Sequence, residues 1–260
     1  MIVATWNING VRSRLDAVLA WLALRGVDVL CLQEVKSTAE EFPFAAFQRL
    51  GFAVALHPQR SYNGVAIVSR RPITDVVLGL GDSNDDPEAR LISATISGVR
   101  VLSVYVPHGQ RVGEETFAHK LAWLKRLRAN LDLHYRPETP LVACGDFNVA
   151  PEARDVFSPT LWRDKVHFHV DARVALKDVL AFGLVDTFRL HHAGDNHFTW
   201  FDYQGRDTFE RNLGLRIDHI FATRPMAERC VLSAIDRAPR ALPHASDHVP
   251  MMSAFAEIAP

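Results

Sequence analysis

Short apolar runs recur along the chain, separated by polar turns and by stretches with helical spacing. Runs rich in β-branched residues between turn signals are typical of buried strands. The strands predicted in this way cover residues 2–5, 27–32, 64–69, 91–96, 99–106, 141–144, 184–188, 217–221 and 250–255.

Three segments have the apolar spacing of amphipathic helices. In the first, Ser13 followed by Asp16 resembles a capping box, and Gly26 is a typical stop signal. The other two helices are predicted over residues 114–133 and 176–182, and the polar residues 81–88 predict a loop.

Strands mixed with helices predict an α/β fold, in which helices cover mixed β-sheets. No internal repeat, low-complexity run or linker divides the sequence, so we expect a single domain that covers residues 1–260. A chain of this length can bury a substantial core without disulfides or structural metal ions.

Composition and charge are ordinary, with 48% hydrophobic and 23% charged residues. The formal net charge of −1 neither favours nor excludes a nucleic-acid partner, because a basic face can be balanced elsewhere. Cys31 and Cys144 lie in apolar runs and Cys230 belongs to no disulfide or zinc motif, which predicts reduced thiols. The N-terminus has no secretion signal, and no apolar run is long enough to span a membrane. We therefore expect a cytoplasmic protein without membrane contact.

Polar side chains follow many of the predicted strands. The strand at residues 141–144 continues into Gly145, Asp146 and Asn148, and the last two point to the same side of an extended chain. Polar groups at the tip of an apolar strand are costly unless something binds them. Residues of the same kinds lie at or near other strand ends, namely Asn7, Asn9, Glu34, Tyr105, Asp218, Asp247 and His248.

These residues form a chemically consistent set. Ligands bind where strand ends meet loops in open α/β sheets. Hard oxygen ligands suit Mg²⁺ or Mn²⁺ and argue against zinc. A further carboxylate can activate water, while a histidine and an asparagine can hold the anionic oxygens of a phosphate. Taken alone, most of these residues are more simply turn, cap, surface or strand residues. The recurrence of such residues at strand after strand is what favours a site.

Several motifs resemble those of the exonuclease III family of AP endonucleases, within the endonuclease/exonuclease/phosphatase superfamily. They are TWNINGVR, VLCLQEVK, YVPHG, GDFNVAP, TWFDY, NLGLRIDHIFAT and SDHVPM, and they extend over nearly the whole chain. GDFN and SDH mark only the superfamily, whereas WFDY followed by GLRID is more specific to exonuclease III. The resemblance implies a four-layer α/β sandwich, with two packed mixed β-sheets flanked by helices.

The resemblance also implies a Mg²⁺-dependent DNA-repair nuclease, with Mn²⁺ as an alternative metal ion. Such enzymes cut 5′ to abasic sites, remove nucleotides and blocking groups from 3′ ends, or do both. The implied metal-site residues are Asn7, Glu34, Asp146, Asn148 and Asp247. The implied catalytic residues are Tyr105 and Asn148 at the phosphate, Asp146 as the general base, and His248 with its partner Asp218.

Other residues match family positions that contact DNA. An abasic-site pocket would be lined by Trp200, Leu215 and Ile217, although core packing explains Ile217 equally well. Contacts with DNA are implied for Asn9 and for the loop arginines Arg90, Arg111, Arg206, Arg211 and Arg216. The implied partner is double-stranded DNA with abasic sites or 3′ ends, bound by a monomer.

Two segments depart from the family pattern. Residues 108–111 read HGQR where relatives often have QGE or NAG after the same proline, and residues 167–173 read HFHVDAR in place of a FLPEER-like stretch. For His167 and His169 we expect surface or structural roles. Loops near the pocket decide between abasic-site incision and 3′-end digestion, so both activities stay open. A phosphoesterase acting on a non-DNA phosphate ester is the alternative function.

Overall fold

Two six-stranded β-sheets pack against each other, and helices cover their outer faces. The computed structural model describes residues 1–82 and 87–257. Its strands are β1 Ile2–Asn7, β2 Val29–Gln33, β3 Ala53–His57, β4 Val65–Ser69, β5 Thr74–Leu78, β6 Leu91–Ile96, β7 Val99–Tyr105, β8 Leu141–Asp146, β9 Leu184–Asp186, β10 Asp218–Thr223, β11 Cys230–Ile235 and β12 Met251–Phe255. Its helices are α1 Val11–Arg25, α2 Phe44–Arg49, α3 Glu115–His134, α4 Pro159–Trp162, α5 Val170–Leu180, α6 Thr187–His191 and α7 Arg224–Ala227.

Alternation along the strands produces the layers. Val29 and Cys31 of β2 belong to the core between the two sheets, whereas Leu30 and Leu32 belong to the core under α1. Because successive side chains point to opposite faces, a strand buried on both sides is apolar at every position. A third core lies between the second sheet and α3 with α5. The predicted four-layer α/β sandwich is therefore confirmed.

The order of the strands brings their polar ends to one edge. It is β11-β12-β1-β2-β4-β3 in the first sheet and β5-β6-β7-β8-β10-β9 in the second. The pairs β1–β2 and β7–β8 are parallel, so their carboxyl ends lie side by side. Tyr105 at the end of β7 pairs with Asp146 at the end of β8. Asp218 pairs with Asp146 from the start of antiparallel β10.

A glycine allows the close approach of β7 and β8 at this edge. Gly145 has a φ of 153°, and a Cβ atom there would lie 1.9 Å from the carbonyl oxygen of Val104. No side chain fits this gap, which explains why glycine precedes Asp146. In the motif GDFN, the glycine is therefore required for close packing of the strands, and the aspartate that follows it is the polar end of β8.

Two helix starts differ from the sequence prediction. The first helix, α1, begins at Val11 rather than at Ser13, whose hydroxyl donates to the carbonyl of Gly10, so the predicted capping box does not form. The helix predicted from residue 176 begins at Val170, where the side chain of His169 accepts the backbone N–H of Asp171.

The strand predicted over residues 184–188 ends at Asp186. The carboxylate of Asp186 accepts the backbone N–H groups of Phe188 and Arg189 and thereby caps α6. The apolar pattern does not predict β3, β5 or β11. Residues 83–86 of the predicted loop lie outside the described residues.

Across residues 1–82 and 87–257, no helix is both long enough and apolar enough to cross a membrane. The three cysteines are free thiols, as the sequence predicts, with Cys31 and Cys144 buried and Cys230 partly buried.

Candidate active site

Asn7 connects two carboxylates at the edge where the strand ends meet. Its Nδ2 donates to Glu34 Oε1 at 2.8 Å and to Asp146 Oδ2 at 3.0 Å. The side-chain oxygen of Asn7 accepts the backbone N–H of Asn9, which fixes the orientation of the buried carboxamide. Asn7 therefore holds an acidic group of the first sheet next to one of the second.

Glu34 is surrounded by a cation and hydrogen-bond donors. Lys36 Nζ lies 2.7 Å from Glu34 Oε2, and the Tyr105 hydroxyl donates to Oε1 at 2.9 Å. Burial would raise the pKa of Glu34, but Lys36 and Asn7 outweigh it and lower the pKa. Burial and the nearby carboxylates raise the pKa of Tyr105, so its hydroxyl stays a donor. Glu34 is therefore an ionised carboxylate, with 18% of its side chain exposed.

Asp146 is a buried carboxylate held by Asn148. The backbone N–H of Asn148 donates to Asp146 Oδ1 at 2.9 Å, and its Nδ2 donates to Oδ2 at 3.3 Å. Burial is the main influence on Asp146 and raises its pKa to about 7, against the opposing positive charge of His248. A carboxylate with a pKa near neutrality is suited to accept a proton from water.

His248 and Asp218 form a buried ion pair beside Asp146. His248 Nδ1 lies 2.8 Å from Asp218 Oδ2, and His248 Nε2 lies 3.7 Å from Asp146 Oδ2. Burial would lower the pKa of His248, but the two carboxylates outweigh it and raise the pKa to about 10. The Ser246 hydroxyl accepts the backbone N–H of His248 and donates to the carbonyl of Asn7, which ties this loop to β1. His248 is therefore a fixed cation.

Asp247 is bound by side chains from two other segments. Trp200 Nε1 donates to Asp247 Oδ2 at 3.0 Å, and Asn9 Nδ2 donates to Oδ1 at 3.3 Å. Lys36 Nζ donates to Asn9 Oδ1 at 2.7 Å, so polar contacts connect Asp247 with the Glu34 side of the site. The two neighbouring residues of the SDH motif therefore lie in different parts of the site. His248 lies next to Asp146, whereas Asp247 lies next to Asn9.

One candidate metal-binding group lies in the interior. Among the described residues, Asp146, Asp218 and His248 place one ligand atom each within 4.8 Å of one another. A protonated imidazole has no free electron pair to offer a metal ion. Because His248 is a cation that bonds to Asp218, this group is better suited to binding an anion than to closing around a metal ion.

A second candidate group surrounds Glu34. Its carboxylate is ionised and partly exposed, it contacts Asn7 directly, and it is connected to Asp247 through Lys36 and Asn9. A donor set made of carboxylate and carboxamide oxygens fits Mg²⁺ or Mn²⁺. The residues predicted as metal ligands on this side of the site are thus compatible with a hard divalent ion.

The residues predicted to line an abasic-site pocket do not all reach a cavity. Leu215 and Ile217 are at most 1% exposed and pack in an apolar cluster with Phe168. Trp200 lines a cavity of about 460 Å³, and the ring of His167 stacks on it with centroids 5.5 Å apart. Leu215 and Ile217 are therefore core residues in this structure, because the segment before β10 packs beneath Trp200 rather than along an open wall.

Arg90 and Arg111, both predicted to contact DNA, differ in exposure. Arg111 is 81% exposed and lies beside the cavity, 3.4 Å from Glu114. Arg90 is largely buried, bonds to Glu88 through two nitrogens and lies over the ring of Tyr105 at 4.9 Å. Arg111 is free to reach a ligand, whereas Arg90 supports the wall behind Tyr105.

The structure corrects the prediction for Arg216. This side chain is 1% exposed, its Nε lies 2.7 Å from Asp155 Oδ1, and its Nη2 lies 2.8 Å from Asp186 Oδ2. Arg216 cannot contact DNA, because its side chain points into the protein interior. There its guanidinium is paired with the carboxylates of Asp155 and Asp186. Asn9 is also predicted to contact DNA. In the structure its side chain lies between Lys36 and Asp247 and is hydrogen-bonded to both.

His167 lies in the site, although the sequence predicts a surface or structural role. It is 4% exposed, and its Nε2 lies 3.1 Å from Asn148 Oδ1. Because that oxygen can only accept, His167 Nε2 carries the hydrogen and donates it. The only signal in the sequence is that residues 167–173 depart from the expected pattern.

The whole chain resembles known DNA-processing proteins. The model of the Endonuclease/Exonuclease/phosphatase family matches residues 4–248, which include every site residue from Asn7 to His248. The protein named Exodeoxyribonuclease III of Haemophilus influenzae is 32% identical over 263 residues, covering 96% of this chain and 98% of that protein.

Two solved structures share the fold at higher sequence identity. An AP endonuclease from Archaeoglobus fulgidus is 42% identical, with a TM-score of 0.96 and coverage of 98% of this chain and 99% of that chain. The 3′ phosphatase NExo from Neisseria, solved with product DNA hairpin, is 39% identical, with a TM-score of 0.93 and coverage of 99% and 100%.

Proposed function

The chain is a nuclease that belongs to the endonuclease/exonuclease/phosphatase family, and we propose that it cleaves DNA at abasic sites or 3′ ends with a divalent metal ion bound beside Glu34. The bond hydrolysed is a phosphodiester 5′ to an abasic site or next to a 3′ end. Water attacks the phosphorus, the 3′ oxygen leaves, and a 5′ phosphate remains on the other fragment.

Asp146 activates the attacking water in this proposal. The carboxylate is fixed on both oxygens by Asn148 and Asn7, so its orientation is set before a substrate binds. Its raised pKa gives it the basicity to accept the proton as the oxygen–phosphorus bond forms.

His248 binds the phosphate as a preorganised cation. Asp218 holds the Nδ1 side, so the Nε2–H is directed to the place where a phosphate oxygen would replace the weak contact with Asp146. Negative charge that develops on the phosphate oxygens in the transition state is stabilised most by donors that are already in place. Asn148, just after β8, and Tyr105, at the end of β7, would add neutral donors. In this structure they donate to Val106 and Asp146 and to Glu34, respectively.

Glu34, with Asn7 and Asp247, would hold the metal ion, which leaves Asp146 and Asn148 to water and phosphate. Bound Mg²⁺ supplies Lewis-acid stabilisation of charge on the phosphate and the leaving oxygen. Mn²⁺ fits the same oxygen ligands.

The observation that carries the proposal is the placement of a buried cation, His248, between two carboxylates in one cluster. A merely structural ion pair needs one acid for one base, whereas this cluster keeps a second carboxylate, Asp146, next to the cation. A buried carboxylate without a counter-charge of its own is costly, and such a group is typical of a functional site rather than of a structural ion pair.

The cavity beside Trp200 favours activity at 3′ ends over incision at abasic sites. The apolar residues that would receive a flipped sugar, Leu215 and Ile217, are covered in the core, and His167 stacks on Trp200 above them. A terminal nucleotide needs no such pocket, because it reaches the phosphate site from the end of the strand.

The test compares two labelled duplexes, one with an abasic-site analogue and one with a recessed 3′ end, each with and without Mg²⁺. We expect metal-dependent shortening from the 3′ end that exceeds incision at the lesion. Predominant incision at the lesion would keep the nuclease but reverse the substrate preference. If neither duplex is cut, the DNA proposal fails and non-DNA phosphate esters become the substrates to test.

We also propose that the enzyme acts as a monomer on double-stranded DNA. Light scattering after size exclusion, with and without a duplex, measures the mass of the free and bound protein. A dimer in both states would contradict this part of the proposal.

A further inference from the structure

Lys120 is a fully buried lysine that the proposed reaction does not use. It lies on α3 with no exposed surface, and its Nζ donates three hydrogen bonds. All three acceptors are backbone carbonyls, of His108 at 3.1 Å, Asn148 at 2.7 Å and Val166 at 2.9 Å. Burial lowers the pKa of Lys120 to about 7, but the three carbonyl acceptors match the three hydrogens of the ammonium form, which the site therefore favours.

The three carbonyls belong to separate segments that meet at the site. His108 follows β7, Asn148 follows β8, and Val166 precedes His167. These segments are far from Lys120 along the chain, since Asn148 follows it by 28 positions and Val166 by 46. A single side chain thus sets the spacing of three loops that no common strand connects.

The fit around Lys120 is close. Gly109 has a φ of 87°, and a Cβ atom there would lie 2.9 Å from Lys120 Cδ and 3.3 Å from a ring atom of Phe117. Only glycine allows the loop after β7 to lie flat on the lysine stem. The glycine after His108 is therefore required by its close contact with Lys120 and Phe117.

Asn148 is the group on which these contacts converge. Its φ of 52° is left-handed, a conformation that most residues avoid and that the surroundings must hold in place. Lys120 binds its backbone carbonyl, and His167, the residue after Val166, binds its side-chain oxygen. Lys120 thus contacts Asn148 directly and also fixes the segment that presents His167.

We propose that Lys120 is a positioning residue, which holds Asn148 and His167 in the arrangement that the phosphate requires. Because Lys120 is fully buried, it touches neither DNA nor water and acts only through these neighbours. The inference rests on the proposed function of Asn148 at the phosphate. A displacement of about 1 Å in such a group costs on the order of 100-fold in rate.

The first test replaces Lys120 with Met, which keeps the length and volume of the stem and removes the donors. Lys125→Met, an exposed position on the same helix, is the matched control. We expect K120M to lower kcat by about 10- to 100-fold with KM for DNA nearly unchanged, while K125M has the kcat of the wild type. A normal kcat in folded K120M would overturn the proposal, as would a rise in KM alone.

A double-mutant cycle with Asn148→Ala separates positioning from general loosening of the structure. If Lys120 acts through Asn148, then K120M lowers the single-turnover rate much less in the N148A background than in the wild type. Equal losses in both backgrounds would contradict the proposal. An inactive wild type would instead refute the proposed function, so the two failures are distinguishable.

A second variant keeps the test decisive if K120M does not fold. Lys120→Gln retains N–H donors on a shorter stem. We expect its kcat to lie below that of the wild type, and above that of K120M where K120M folds, with KM unchanged. Near-UV circular dichroism and the unfolding midpoint establish that the variant is folded. Wild-type kcat in folded K120Q would overturn the proposal.

Discussion

His248 Nδ1 lies 2.8 Å from Asp218 Oδ2, both atoms buried, and this contact decides the charge of the imidazole. Without the carboxylate, burial would leave the ring neutral at neutral pH; with Asp218 and Asp146 nearby, its pKa is about 10. The cation can therefore bind a phosphate oxygen from neutral pH up to a pH of about 10. Asp218 never needs to touch the substrate to have this effect.

Replacing Asp218 with Asn should change the alkaline limb of the pH–rate profile. The wild type keeps His248 protonated until the pH approaches 10, whereas D218N loses the proton at lower pH because one neighbouring negative charge is gone. We expect the activity of D218N to fall at a lower pH than that of the wild type. The exposed Asp207→Asn variant is the control. Identical alkaline limbs in wild type and D218N would rule out this role.

Removing the charge of Glu34 should weaken metal binding. Glu34→Gln keeps the shape of the side chain and its place beside Asn7 and Tyr105 but not the carboxylate that a hard divalent ion prefers. We expect a weaker Mg²⁺ affinity, measured by titration calorimetry without DNA, and a higher Mg²⁺ requirement for cleavage. Glu40→Gln, at an exposed position, should match the wild type. Unchanged calorimetric affinity in E34Q would place the ion elsewhere.

Acid should destabilise the fold through His219. The fully buried ring donates from Nε2 to the carbonyl of Val149 and accepts at Nδ1 from Arg216, so no nitrogen is free for a second proton. Burial, with Arg216, lowers its pKa from 6.5 to about 4. A folded-state pKa below the unfolded value means that this stability is complete above pH 6.5 and is lost as the pH falls towards 4.

The measurement is the free energy of unfolding in urea between pH 7.5 and 4.5. At full protonation the loss from His219 is on the order of 3 kcal/mol. His219→Gln should be less stable at neutral pH but should lose less stability on acidification, whereas the exposed His134→Gln should follow the wild type. An equally steep decline in the His219 variant would assign the acid sensitivity to other groups.

The ion pairs around Arg216 should be far more important than those on the surface. Asp155 is fully buried and bonds to both Arg216 and Arg189. Asp155→Asn leaves two buried guanidinium groups short of negative charge, so we expect a loss of about 3 kcal/mol in the free energy of unfolding. The exposed pair Arg224–Glu228 is the comparison, and Glu228→Gln should change nothing measurable. A small effect of D155N would mean that Asp186 alone can balance Arg216.

The sequence predicts the site better where strand geometry controls the side chain. Asn7, Tyr105, Asp146 and Asp218 all lie at strand ends, and sheet register alone brings them to one edge. The positions of residues on loops are not determined by sheet register. His167 reaches Asn148 only because the segment before α5 folds back over the site, and nothing in HFHVDAR encodes that path.

Charged residues can also be misplaced by sequence-based prediction, because some that are expected at the surface are buried in the structure. Arg216 reads as a loop arginine beside a substrate pocket, yet its two acidic partners come from positions 155 and 186, which no local pattern connects. Lys120 belongs to a basic run with Lys125, Arg126 and Arg128, which is typical of a solvated helix face. It is nevertheless buried, because its three acceptors are backbone carbonyls that carry no sequence signal. Burial of a long charged side chain depends on tertiary partners, which a single sequence does not reveal.

The most direct test of the account is the Asp146→Asn variant, with cleavage and binding measured separately. Single-turnover cleavage of the recessed duplex with Mg²⁺ gives the chemical rate, and titration of the same duplex in EDTA gives the affinity. We expect a rate lower by about 10²- to 10⁴-fold with unchanged or tighter binding, because the variant loses the base but keeps its hydrogen-bonded place. A variant that cleaves at the wild-type rate, or that loses activity only through weaker binding, would contradict the role of Asp146.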